Sequence, residues 1–165
     1  MVALETNRGK IVIQLNAEKA PISVENFLGY VEEGYYDGLI FHRVINNFMI
    51  QGGGFTPDMT KKTPSQPTIQ NEADNGLDNK VGSIAMARTN APHSASSQFF
   101  INTKDNGFLN HTAKTSQGWG YAVFGQVVEG MDIVGQISVT RTARKGSYSD
   151  VPVDPVVIEK AYLVE

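Results

Sequence analysis

The stretch Phe41-His42-Arg43-Val44-Ile45-Asn46-Asn47-Phe48-Met49-Ile50-Gln51-Gly52-Gly53-Gly54 decides how this chain folds. Residues 41–45 and 48–51 read as a pair of short strands, rich in β-branched and aromatic residues. Side chains alternate along a strand, so Phe41, Arg43 and Ile45 are expected on one face, His42 and Val44 on the other. That gives Arg43 apolar company. A guanidinium in such a place is costly to desolvate unless a carboxylate or a bound ligand meets its five donors; the alternative is a surface arginine whose stem snorkels. The three glycines have no Gly-Lys-Ser/Thr behind them, and Pro57 occupies the place of the last glycine of G-x-G-x-x-G. A bulge or a close backbone approach is therefore expected there, not a phosphate loop.

Working outward, Gln98-Phe99-Phe100-Ile101-Asn102 forms the strand that complements this pair. Gln98, Phe100 and Asn102 share one face and Phe99 and Ile101 the other, so both faces carry an aromatic. A barrel strand has one core face, and an aromatic on the outer face points to a shallow apolar groove furnished with amide and guanidinium donors, which suits an extended peptide. Further strands are expected over 4–6, 11–15, 83–88, 121–128 and 156–164, with Asn7-Arg8-Gly9-Lys10 turning the first two into a hairpin. Pro21 opens a helix whose stripe is Val24, Phe27, Leu28 and Val31 and which ends at Gly34; a shorter helix starts at Met131, with Val134 and Ile137 on its face. Strands without regular βα alternation favour an antiparallel barrel with helices plugging its ends. The polar stretch 56–82, with Pro57, Pro64 and Pro67, is long enough to be a packed or functional loop. No domain boundary interrupts residues 1–165, so one domain is expected.

Composition narrows the chemistry. The 165 residues include no cysteine, 14 Lys+Arg and 17 Asp+Glu, for a formal charge of −3. Thiol nucleophiles, disulfides and thiolate metal sites are excluded, and the default location is the cytoplasm. No global basic field exists for nucleic acid or an anionic membrane, no run approaches a membrane span, and the N-terminus lacks a signal-peptide pattern. His42, His93 and His111 are too scattered for a metal site and are expected to be solvated or hydrogen-bonded; no metal and no cofactor is expected. His93-Ser94-Ala95-Ser96-Ser97 sets hydroxyls beside an imidazole, but no G-x-S-x-G elbow is present, and a hydrolase ranks last.

The block from Phe41 to Phe55, together with Met86-Ala87, Ser97-Gln98-Phe99-Phe100-Ile101, Val123-Phe124-Gly125-Gln126-Val127 and Gly130-Met131, resembles the cyclophilins. The likeness covers essentially the whole chain and is nearest to bacterial cytoplasmic members. It implies a mainly β fold, a closed eight-stranded antiparallel β-barrel capped by two α-helices, and peptidyl-prolyl cis-trans isomerase activity. It also implies Arg43 as the catalytic arginine with Gln51 beside it, and a proline pocket of Phe48, Met49, Phe100 and Leu109. Ala87, Arg88 and Thr89 would offer a strand edge to peptide backbone, and Gln98 a further amide contact. Phe108, Tyr121 and Arg88 stand where the best-known eukaryotic members carry Trp, His and Asn; Asn90 resembles an insertion, and the stretch between Phe108 and Tyr121 is longer than theirs. Phe108 lacks an indole N–H, so weaker binding of cyclosporin-type ligands is expected.

The partners so implied are proline-containing peptides and folding proteins, met by a monomer. Rotation about an X–Pro bond makes and breaks no bond, so it needs neither cofactor nor metal. A binding module or holdase using the same groove without turnover is the competing reading. A groove that grips one proline and backbone atoms is expected to read little of the flanking side chains.

Overall fold

The computed structural model describes residues 1–164. Its main sheet contains β1 (Val2–Thr6), β2 (Gly9–Leu15), β3 (Arg43–Ile45), β4 (Met49–Gly52), β5 (Ser83–Met86), β6 (Phe99–Asn102), β7 (Val123–Glu129) and β10 (Ile158–Leu163). They lie in the order β10-β1-β2-β7-β5-β6-β4-β3, every neighbour antiparallel. The helices are α1 (Pro21–Glu32) and α2 (Met131–Ser138). A separate hairpin, β8 (Thr142–Lys145) with β9 (Tyr148–Pro152), was not expected from the sequence. Its residues are mostly polar and carry no alternation, and only Tyr148, edge-on to Phe55 at 5.0 Å, ties its tip to the barrel through aromatic contact.

The eight-stranded expectation holds, but closure is partial. β3 and β10 do not pair with each other. The seam between them is spanned by Ile40, which bridges Val157 on one side and Phe55 on the other. Phe41 N donates to Val156 O at 3.0 Å and Ile158 N to Leu39 O at 2.8 Å. The sheet is thus a strongly curled half-barrel whose edges meet through single bridges beyond the strand ends. Because Leu39, Ile40 and Phe41 make this seam, the strand expected from residue 41 starts only at Arg43. Phe41 consequently turns into the core with Val44 and does not share a face with Arg43.

The interior is aromatic. Phe99 receives Phe27, Tyr36 and Phe41 edge-on, with ring centroids 5.5, 5.4 and 5.9 Å away. Such T-shaped pairs add about 0.5–1.5 kcal/mol each beyond simple burial. α1 presents Val24, Phe27 and Val31 to this core as its spacing required, and α2 presents Val134 and Ile137. Ala20 gives α1 no side-chain cap. Glu72, from the long loop, replaces it by accepting from the N–H groups of Ile22 at 3.2 Å and Ser23 at 2.7 Å. A carboxylate there also meets the positive end of the helix. Gln66 adds a bond to Asn26 O at 3.0 Å, so the loop is packed on α1.

The glycines at 52–54 prove to be close-approach positions. A Cβ on Gly52 would come within 2.8 Å of Ile40 O, on Gly53 within 2.9 Å of Phe99 and Tyr36, and on Gly54 within 2.6 Å of Gln98. No helix among the described residues is long and apolar enough to cross a membrane.

Candidate active site

The curvature of the sheet places four sequence-distant residues in one row. Arg43 is the register partner of Gln51, Gln51 of Phe100, and Phe100 of Ala85, across β3, β4, β6 and β5. On the outer face of this row lies a second apolar cluster, separate from the core. Met49, Ala85, Phe100 and Val123 are buried in it, with Phe48, Leu109 and Tyr121 partly buried around them. The aromatic alternation in β6 required such a cover: Phe99 and Ile101 point inward, Phe100 outward.

The cluster opens into a pocket of about 140 Å³. Every residue expected at the site lines it except Thr89, Gln98 and Phe108. Clefts that bury a drug-sized ligand run to roughly 300–1,000 Å³, so this one holds a single small apolar group while the remainder of a ligand stays outside. Thr89 and Gln98 line an adjoining pocket of about 170 Å³, which shares Gln51, Ala87 and Arg88 as a wall. Phe108 is 75% exposed and stacks on Phe48 at the rim, centroids 5.8 Å apart and planes 22° apart. A wider depression of about 570 Å³ elsewhere, around Gln14, Asn16 and Gln126, includes no arginine and no aromatic residue in its lining.

Arg43 is exposed at the pocket mouth, and Nη1 donates to Gln51 Oε1 at 3.4 Å. Among the described residues the sole ion pair within 4.0 Å joins Lys114 to Asp74, so no carboxylate neutralises Arg43. Of the two readings of this arginine, an exposed side chain is the one that fits its burial: Phe41 turns into the core, and on β3 the apolar neighbour left on Arg43's face is Ile45. Gln51 Nε2 donates to Gln98 Oε1 at 3.0 Å, completing a relay from Gln98 to the guanidinium. Arg88 closes the opposite wall. Its Nε donates to Gly120 O at 3.0 Å, its Nη1 to Thr89 O at 2.8 Å, and the guanidinium lies 4.7 Å from the Tyr121 ring centroid. The backbone donors of Ala87 and Thr89 are already engaged, by Gln98 O and Ser94 Oγ at 3.0 Å each. The peptide group between Ala87 and Arg88 is the part of that edge outside these two bonds.

Sequence reasoning missed an asparagine network behind the pocket. Asn102, fully buried, donates to Asn79 Oδ1 at 3.0 Å and Ser83 Oγ at 2.9 Å, and accepts from Asn106 Nδ2 at 2.8 Å. Asn106 Nδ2 also reaches Phe48 O at 2.9 Å, while Asn79 Nδ2 reaches Leu109 O at 3.3 Å and Tyr121 O at 3.2 Å. Three pocket walls are therefore tied through one buried side chain. Alternation put Asn102 on the face of Phe100, a usable signal; nothing local marked Asn79 or Asn106.

The histidines lie outside the pocket. His93 Nδ1 accepts from Asn71 N at 3.0 Å and His111 Nδ1 contacts Trp119 O at 2.9 Å, as hydrogen-bonded histidines should. His42 departs from that expectation. It is buried against Phe55, 4.4 Å between centroids, and its Nδ1 has no partner among the described residues. Burial first, and the neighbouring Arg43 charge second, hold its pKa down to about 4. Two of the three serine hydroxyls are committed elsewhere: Ser94 Oγ donates to Ala91 O at 2.6 Å and buried Ser97 Oγ to Gly53 O at 2.9 Å. Among the described residues no hydrogen bond joins His93 to a serine hydroxyl, which leaves the hydrolase reading without a nucleophile–base pair.

A curled antiparallel sheet thus carries on its outer face a small apolar pocket with an arginine at its mouth that has no carboxylate partner among the described residues. Residues 1–163 match the family model described as cyclophilin type peptidyl-prolyl cis-trans isomerase/CLD. The peptidyl-prolyl cis-trans isomerase cyp18 of Streptomyces antibioticus is 62% identical over 163 residues, 99% of this chain and 98% of that protein. Peptidyl-prolyl cis-trans isomerase B of Escherichia coli K12 is 55% identical over 165 residues, 100% of each. Among solved structures, a Cryptosporidium parvum cyclophilin crystallised in the presence of the dipeptide Ala-Pro superposes with a TM-score of 0.82 at 27% identity, covering 99% of this chain and 98% of that one. The chain belongs to the cyclophilin-type peptidyl-prolyl cis-trans isomerases, and it is an enzyme of that class.

Proposed function

We propose that this chain, as a single domain, isomerises X–Pro bonds by seating the proline ring in the 140 Å³ pocket with Arg43 against the amide. Amide rotation faces a barrier of about 18–20 kcal/mol, and uncatalysed X–Pro exchange takes tens to hundreds of seconds. In the twisted state resonance is lost and lone-pair density returns to the imide nitrogen. Arg43 donates to that density, Phe48, Met49, Phe100 and Leu109 hold the ring, and the preceding carbonyl swings. Gln51, itself held by Gln98, aims the guanidinium. Stabilisation that exists only in the twisted state lowers the barrier, and each 1.36 kcal/mol is tenfold in rate. Ala87, Arg88, Thr89, Tyr121 and the rim ring of Phe108 receive the rest of the peptide.

The observation that carries this reading is an arginine without a carboxylate partner among the described residues at the mouth of an apolar pocket of about 140 Å³, the size of one small ring. Its partners are X–Pro segments of peptides and folding proteins. A monomer in the cytoplasm fits the cysteine-free, weakly acidic composition. NMR exchange on an X–Pro peptide, wild type against Arg43→Ala, tests it: exchange catalysed by wild type and largely lost in the variant supports the reading, and equal rates end it.

A further inference from the structure

The chain is acidic overall, yet its two adjoining pockets are lined by Arg43, Arg88, Lys61 and Lys62 and by no aspartate or glutamate. None of the four has a carboxylate within 4.0 Å among the described residues. Two are held in place by other means. Arg88 is clamped by Gly120 O, Thr89 O and the Tyr121 ring, and Lys62 Nζ donates to Tyr35 O at 2.8 Å while lying 4.4 Å from the Tyr35 ring centroid. Lys61 is exposed, and its charge is free to follow a ligand. The second pocket adds Thr89, Ser94 and Ser96 to these cations.

An extended peptide sets the spacing. Side chains two residues apart share a face and lie about 6.6–7 Å from each other. The two pockets share the wall of Gln51, Ala87 and Arg88, so a peptide with proline in the first can carry the side chain two positions away toward the second. We infer that the second pocket selects an acidic side chain, Asp or Glu, two residues from the isomerised proline. This rests on the isomerase reading of the first pocket and departs from the expectation that the groove reads little of the flanking side chains. Fixed unpaired cations also draw acidic segments to the cleft, an effect that salt weakens.

The test uses the whole protein and short X–Pro peptides carrying Glu, Gln or Lys two residues before, or two residues after, the proline. Exchange rates and peptide affinities are both read by NMR. In one of the two placements Glu is expected to raise kcat/KM about threefold or more over Gln, and Lys to lower it, with the spread collapsing in about 0.5 M salt. Lys61→Glu, on an exposed side chain, is expected to abolish or reverse the preference between the Glu and Lys peptides. Equal kcat/KM for Glu, Gln and Lys in both placements overturns the inference but leaves the isomerase reading standing. Glu-selective affinity with no turnover of any peptide does the opposite. A preference that survives Lys61→Glu undiminished also overturns the assignment to this pocket.

Discussion

Gln51 donates through Nε2 to Gln98 Oε1 at 3.0 Å, which turns its carbonyl oxygen toward Arg43. Gln98 occupies space that only glycine at position 54 leaves open. If Gln98 acts by aiming Gln51, Gln98→Ala lowers kcat about two- to tenfold, the worth of one neutral hydrogen bond, with KM nearly unchanged. A rise in KM at constant kcat would show instead that Gln98 touches the peptide directly. Both parameters come from one exchange assay over peptide concentration.

Arg43 is exposed and carries no packing in the core, so its removal should be nearly silent in thermal unfolding. Arg43→Ala is expected to cost roughly 10- to 100-fold in kcat/KM, the range of a charge-assisted hydrogen bond. Arg43→Lys should recover little, because a point charge lacks the planar fork. No group lining the pocket has to titrate near neutrality, so kcat/KM should be flat between about pH 6 and 8; a bell-shaped profile centred near 7 would contradict the mechanism.

Asn102→Ala leaves Asn79 and Asn106 short of a buried partner. A loss of roughly 2–4 kcal/mol in urea unfolding is expected, together with a higher KM as the walls of Phe48, Leu109 and Tyr121 loosen. Unchanged KM in a folded variant would show that the network supports stability alone.

Phe108 stacks on Phe48 with three quarters of its surface exposed and has no polar atom to offer a ligand. Phe108→Trp adds an indole N–H at the same rim. Calorimetric titration should show tighter cyclosporin binding in the variant, and unchanged affinity would count against a role for this position.

His42 has a pKa of about 4 folded against about 6.5 unfolded. Between those values the unfolded chain binds the extra proton, so stability is full above pH 6.5 and falls as pH drops toward 4. A pKa held down from about 6.5 to about 4 corresponds to about 3 kcal/mol. Unfolding free energy measured across that window should fall more steeply in wild type than in His42→Phe, which has nothing to titrate. Parallel curves would show that His42 charges without cost.

Much of the fold was legible because it rests on local periodicity. The period-two pattern in residues 98–102 separates Phe99 from Phe100 and so implies an inner core and an outer cluster. The glycine run at 52–54 was readable as close approach because the residues that follow it exclude phosphate chemistry. Periodicity failed at Phe41, where the chain leaves the ladder to close the seam at Ile40, a long-range event that no window of five residues contains. It also failed for 142–152, whose polar residues give no alternation to read.

By itself, the sequence determined the strand and helix faces, the absence of thiol chemistry and, through the F-H-R-V-I and S-Q-F-F-I blocks, the family. Those are properties of neighbours along the chain. Only the tertiary structure decided that the barrel closes through single bridges, that Arg43 stands exposed with no carboxylate partner among the described residues, that Asn102 anchors three pocket walls, and that Lys61, Lys62 and Arg88 line one pocket that includes no aspartate or glutamate. Each of these depends on which distant segments the sheet's curvature brings together, and side-chain periodicity carries no information about that.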